Sequence, residues 1–195
     1  MNPAISRRRA IQTLFCSSAA LALNLRPTAH AQISREAMHL LLIGDFGTGD
    51  PKQMKVARAM RKFVADNALR PEAMLMLGDN FYDGDKAGFS TESPRWKNEI
   101  EDMYPAAEFP GPMWAVLGNH DYSDNPGGEK VQLAYSQKPG VRWRMPAKWY
   151  RFELGPASKP LVTCLCLDSN LPGMASKKRK ATGDGVVAEH EQQLV

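Results

Sequence analysis

The chain has 195 residues, with 25 Lys+Arg against 21 Asp+Glu and a formal net charge of +4. Four arginines (Arg7, Arg8, Arg9, Arg26) and no acid fall within the first 31 residues, so the remainder is formally neutral at 21 against 21. The basic balance belongs to the N-terminus and excludes a broad cationic nucleic-acid surface on the body of the chain.

Residues 1–31 read as an export signal. Arg7-Arg8-Arg9 gives a positive start, Ala10 to Leu25 an apolar stretch, and Ala29-His30-Ala31 a small-x-small cleavage site that leaves Gln32 first. Ser6-Arg7-Arg8 resembles a bacterial twin-arginine (Tat) signal, with Ala10 and Gln12 in place of the usual aromatic residue and lysine; an ordinary Sec signal is the alternative. The apolar stretch is too short for a membrane span and is broken by Asn24, Arg26 and Pro27. The expectation is a periplasmic or secreted protein, handled by export machinery and without stable membrane association after cleavage.

Leu40-Leu41-Leu42-Ile43 is a short apolar run of the kind that forms a buried strand. Asp50-Pro51 then reads as an N-cap followed by proline at N1. Val56, Ala57, Met60, Phe63 and Val64 recur at helical spacing, and the helix is expected to end near Asn67. It would cross between the first strand and a second at Ala73 to Leu77, making the two parallel. Ser93 to Tyr104 is a helix candidate with Trp96 and Ile100 on one face, Trp114 to Leu117 a strand, Val131 to Tyr135 a short helix. Lys148 to Leu154 alternates and reads as a strand, as does Leu161 to Leu167. Cys164 and Cys166 are two apart there, about 6.6 Å along an extended strand with parallel Cβ vectors, so they read as core residues rather than a disulfide. Ser169 to Asp184 reads as a loop whose Lys177-Lys178-Arg179-Lys180 run is a solvated face or, as the weaker reading, a phosphate-attracting rim. Val186 to Val195 starts a helical pattern that no glycine cap, basic last turn or proline closes, and the sequence is expected to stop inside an element.

Three strands end in glycine followed at once by donor side chains: Gly44-Asp45-Phe46-Gly47, Gly78-Asp79-Asn80-Phe81-Tyr82 and Gly118-Asn119-His120-Asp121. Ligands of open α/β sheets bind outside the carboxyl ends of strands. Asp45, Asp79, Asn119 and His120 are therefore expected to converge there. Acidic groups at the ends of buried strands need charge compensation, and a cation supplies it. Taken singly, an aspartate after a strand is a turn residue or helix cap, and Tyr82 is ordinary packing. Asp121 either orients His120 or sits on the surface, while Asp83 and Asp85 read as loop residues.

Together the three motifs resemble those of the calcineurin-like metallophosphoesterases. Tyr82, three residues after Asp79, is similar to the purple acid phosphatase pattern, and the small tartrate-resistant type is the nearest likeness. Gln132-Leu133-Ala134-Tyr135-Ser136 and the stretch from Arg142-Trp143 to Tyr150-Arg151-Phe152 also resemble that type. The likeness runs from about Met38 to Val195. It implies an α/β fold, a sandwich of two mixed β-sheets flanked by helices, incomplete at the C-terminus. It implies a dinuclear centre of Fe(III) plus a divalent ion (Fe, Zn or Mn). By position, Asp45 resembles a ligand of the first metal, Asp79 the bridging carboxylate, Tyr82 the phenolate on ferric iron and Asn119 an amide ligand of the second metal. His120 resembles the catalytic residue facing the phosphate and leaving group. The implied activity is hydrolysis of phosphate monoesters, of a small phosphate ester or a phosphoprotein, with no Ser or Cys nucleophile. A phosphodiesterase of the same superfamily, or an inactive truncated fragment, is the alternative.

The family pattern adds further histidine ligands. Here His30 falls in the signal, His39 within the first strand, and His190 in Glu189-His190-Glu191-Gln192-Gln193-Leu194, which resembles the helix before one of those motifs. Residues 38–195 therefore read as the N-terminal portion of the domain, expected to be inactive alone and short of cover at Trp149, Phe152 and the strand at 161–167.

Overall fold

β1 (Leu40–Ile43) and β2 (Ala73–Met76) pair in parallel, Leu40 opposite Ala73 through Ile43 opposite Met76. The computed structural model describes residues 37–84 and 88–170. The stretch expected to be an export signal, the basic run at 177–180, His190 and the helical pattern expected at 186–195 lie outside the described residues. Between β1 and β2 runs α1 (Pro51–Asp66), capped as expected: the Asp50 carboxylate accepts from the Lys52 and Gln53 amides at 2.8 and 2.9 Å, and Asn67 closes the helix. Its inward stripe differs from the expected one. Gln53, Ala57 and Val64 are buried with Met60 packed beside them, while Val56 and Phe63 are about half exposed. Gln53 is polar, so hydrophobic periodicity passes over it. Its side chain is satisfied inside by the Gly49 N–H and by donation to the Glu99 carbonyl, each at 2.7 Å.

β3 (Met113–Ala115) and the two-residue β4 (Trp143–Arg144) extend the sheet in the order β1-β2-β3-β4, all parallel. β5 (Tyr150–Leu154) and β6 (Val162–Cys166) form a separate antiparallel pair. The architecture is α/β with two sheets and flanking helices. The period-two alternation of the strands distributes the layers. Met74 and Met76 face one core, with Ala57, Trp96, Ile100 and Trp143. Ala73 and Leu75 face the other, with Phe152, Leu154 and Cys166. Phe152 is covered by Trp114, stacked at 4.0 Å and 8°. Cys164 and Cys166 are free and point inward, whereas Leu165 on the outer face is 72% exposed.

The stretch expected as an α-helix at 93–104 is instead a π-helix, Trp96–Glu101, in which the Asp102 N–H reaches back five residues to the Lys97 carbonyl at 2.8 Å. In an α-helix, positions four apart drift round the axis by about 40° per step. The wider turn reduces that drift and buries Trp96, Ile100 and Tyr104 together, with Trp96 stacked flat on Tyr135 at 3.7 Å. Two helices complete the described part: α2 (Asn119–Ser123), directly after β3, and α3 (Gly128–Ser136), longer than the stretch expected at 131–135. No helix among the described residues is long and apolar enough to cross a membrane.

Candidate metal centre

The ends of β1, β2 and β3 lie side by side because their backbones are bonded beyond the strands. Leu77 N–H donates to Ile43 O at 2.7 Å, Asp45 N–H to Gly78 O at 3.1 Å, and Val116 N–H to Met76 O at 2.9 Å. The Tyr82 N–H then closes on Gly47 O at 2.7 Å. A side chain on Gly47 would collide with this arrangement, since a Cβ there would stand 1.7 Å from the Asn80 carbonyl oxygen. Asp45 and Asp79 both adopt left-handed backbone, φ 54° and 51°, a conformation that aspartate tolerates better than most residues.

Three of the expected ligands meet. The Tyr82 hydroxyl lies 2.9 Å from Asp79 Oδ2 and 3.2 Å from Asp45 Oδ1. Asp79 is buried and Asp45 exposed. The other oxygen of Asp79 accepts the His120 N–H at 2.9 Å. Asn119 stands next to His120 as the first residue of α2, with an exposed side chain. Burial, then the hydrogen bonds and charges of Asp79 and Asp45, push the Tyr82 phenol well above its ordinary range. A phenolate there would be a third anion beside two carboxylates, and a cation among the three oxygens removes that conflict. Two carboxylates and a phenol are hard oxygen donors, so the residues present fit a hard metal ion. Among the described residues no group of three His, Cys, Asp or Glu side chains converges, so nitrogen and further carboxylate donors are not part of the described cluster.

The His120 ring lies 4.5 Å from the Tyr82 ring, centroid to centroid. Its Nδ1 is 2.8 Å from Asp124 Oδ2, one helical turn along. That hydrogen bond holds the imidazole pKa above its ordinary value and leaves Nε2 as the other working nitrogen. Asp124 also accepts the Asp83 N–H at 3.2 Å, tying α2 to the Tyr82 loop. The i,i+4 spacing of His120 and Asp124 is the sequence signal for this pair, one helical turn apart on α2.

Asp121 is neither the partner of His120 nor a surface residue. It is fully buried and accepts from the backbone N–H groups of Gly118 (2.8 Å), Asn80 (3.0 Å) and Phe81 (3.2 Å), and from Gln132 Nε2 (2.8 Å). Burial pushes its carboxyl up to about 6 against these donors, which pull it down. Its location is that of an N3 acid facing back on the helix N-cap, a signal readable from Gly118 and Asp121 three residues apart. It joins the loop carrying Asp79 and Tyr82 to the helix carrying Asn119 and His120. Arg95, also missed, holds the carbonyls of Tyr82 and Asp83 from below.

A parallel α/β sheet with acidic side chains at adjacent strand ends defines the class, and comparison with known sequences agrees. A sequence model of the calcineurin-like phosphoesterase family matches residues 38–174, and the chain belongs to that family. Among curated proteins it is similar to purple acid phosphatase 3 of Arabidopsis thaliana, 34% identical over 95 residues, which is 48% of this chain and 24% of that protein. Purple acid phosphatase 17 of the same plant is 32% identical over 99 residues, 50% of this chain and 27% of that protein. The matched stretch thus spans about a quarter of these relatives. A solved structure of GAP50, described as the anchor in the inner membrane complex of Plasmodium, superposes with a TM-score of 0.60 at 23% identity, over 80% of this chain and 47% of that one. At that identity it speaks for the fold alone.

Proposed function

We propose that this protein hydrolyses phosphate monoesters as an exported acid phosphatase of purple type. The observation that carries the reading is the Tyr82 hydroxyl set between Asp45 and Asp79. A tyrosine oxygen in a carboxylate cluster suits ferric iron, as phenolate is a hard anionic donor. Asp45, Asp79 and Tyr82 would hold the iron, and Asp79 with Asn119 would contribute to a site for a divalent Fe, Zn or Mn ion. When bound, the metal pair supplies Lewis acidity and a water-derived nucleophile. Four donor side chains do not complete two coordination shells, so turnover is expected only with donors from beyond the described residues.

The chain's own residues have separate tasks. Asp121 and the backbone bonds to Gly47 and Gly78 hold the ligand loops in place. His120, oriented through Nδ1 by Asp124, presents Nε2 as the proton donor to the departing alkoxide. The substrate is a small phosphate ester or a phosphoprotein, met in the periplasm or outside the cell. The test compares a phosphomonoester with a phosphodiester as substrate for the iron- and zinc-loaded gene product. Preferential monoester turnover, with loss of visible colour in Tyr82→Phe, is the expected result. Preferential diester turnover, or colour that survives the substitution, overturns the reading.

A further inference from the structure

Tyr82 sits on a loop that does not hold itself. Between the left-handed residues Asp79 and Asp83, φ 51° at each, the chain makes no regular structure. Such backbone persists only where its surroundings over-determine it. The Arg95 side chain, 13% exposed, reaches that loop from the residue that opens the π-helix. Its Nη2 donates to the Tyr82 carbonyl at 2.5 Å and Nη1 to the Asp83 carbonyl at 2.9 Å. Nη2 also lies 3.5 Å from the carbonyl of Gly47, the acceptor of the Tyr82 N–H. One guanidinium thus spans the loop of Asp45 and the loop of Asp79 and Tyr82.

Arg95 is itself fixed. Nε and Nη2 bond the two oxygens of Glu99 at 2.7 and 3.0 Å, a fork-to-fork pair of high geometric specificity. Glu99 belongs to the π-helix, and its carbonyl is held by Gln53 of α1. Nη1 lies 3.3 Å from Asn125 Oδ1, whose amide in turn donates to the Phe81 carbonyl. The guanidinium also lies over the Phe81 ring at 5.3 Å. The direct bonds of Arg95 and the relay through Asn125 end on the backbone of residues 81–83, while the Glu99 pair anchors the arginine to α1. π-Turns are rare and concentrate at functional sites, and here the turn holds the clamp.

We propose that Arg95 is a positioning residue: locked by Glu99, it sets the Tyr82 loop so that the phenol falls between Asp45 and Asp79. The role in metal binding rests on the reading of Tyr82 as a ligand, but the clamp does not. Arg95→Lys keeps the charge and loses the fork. Amide hydrogen exchange of the metal-free full chain reads the clamp directly. In Arg95→Lys, exchange over residues 79–84 rises about tenfold relative to residues 73–76 of β2, because local opening is separable from global unfolding. Glu99→Gln, which keeps the arginine and weakens its anchor, moves the same segment in the same direction and serves where Arg95→Lys does not fold. In iron-loaded protein the Tyr82-dependent visible band shifts or weakens per iron bound in both variants. Exchange that rises equally in all segments of both variants, or in neither segment, overturns the clamp. A wild-type protein without a Tyr82-dependent band removes the ligand reading while the exchange result still decides the clamp.

Discussion

Replacing Gly118 with alanine asks whether the second and third ligand loops are packed backbone against backbone. A Cβ built on Gly118 stands 2.1 Å from the Asp79 amide nitrogen and 2.1 Å from Asp79 Oδ1. The residue has φ −100° and ψ 177°, so alanine is not strained there by its own backbone. All of the penalty comes from the neighbour. To reach ordinary contact at 3.4 Å from 2.1 Å the two loops must part by at least 1.3 Å, and a misplacement of about 1 Å already costs roughly 10²-fold in turnover. The separation also lengthens the bond from His120 N–H to Asp79 Oδ1, now 2.9 Å. Overpacking of this kind costs about 1–3 kcal/mol of stability. Gly140→Ala is the control: φ is 80° and nothing lies within 4 Å of its Cβ. That left-handed alanine costs about 1–2 kcal/mol with no effect on the site. Urea denaturation, iron titration through the visible band and turnover of a phosphomonoester together separate the two. Both variants are expected to lose stability, and Gly118→Ala alone to lose iron affinity and activity. A Gly118→Ala protein with wild-type iron affinity and turnover would refute the reasoning.

Asp124→Asn lowers the His120 pKa toward its ordinary value, read by NMR of the imidazole in metal-free protein; an unchanged titration refutes the pairing. The folded pKa of His120 is raised, so the pair's stability is full below the unfolded value of about 6.5 and is lost as pH rises through the folded value. With side chains 38% and 22% exposed, the loss at low pH in Asp124→Asn stays within about 1 kcal/mol and vanishes in alkali. His120→Ala slows esters with poor leaving groups by about 10²–10⁴-fold and activated esters less; equal losses would assign His120 to substrate positioning. Trp114→Ala removes the stack between the two sheets and costs roughly 3 kcal/mol by denaturation, the low end for a tryptophan because it is only partly buried, while leaving iron affinity unchanged.

β1, β2 and β3 were legible because each is a short apolar run that leads into glycine and a donor. The approach of Asp45 and Asp79 followed from that repetition, whereas the place of Tyr82 between them was implied only by the family resemblance. What escaped was polar and buried. Gln53, Asp121 and Arg95 look like surface residues to any hydrophobicity argument, and their partners are backbone groups 40 to 50 residues away in several cases. Long-range pairing of this sort leaves no local period. The π-helix escaped for a related reason, since Trp96 and Ile100 already satisfy α-helical spacing and the five-residue bond from Asp102 N–H to the Lys97 carbonyl leaves no mark on the pattern of side chains. β4 is two residues long, and Trp143 and Arg144 give no alternation to read.

The left-handed backbone at Asp45 and Asp79 constrains which side chains those positions accept, apart from any metal. For most L-residues this conformation costs about 1–2 kcal/mol, and aspartate and asparagine bear it best because their short polar side chains bond locally. Glutamate would be a poor substitute on two counts, reach and backbone. Asparagine removes the charge and leaves the turn intact, whereas alanine removes the donor and strains the turn at once. Asp45→Asn and Asp79→Asn are therefore the cleaner probes of charge, and any excess loss in the corresponding alanine variants measures the turn rather than the carboxylate.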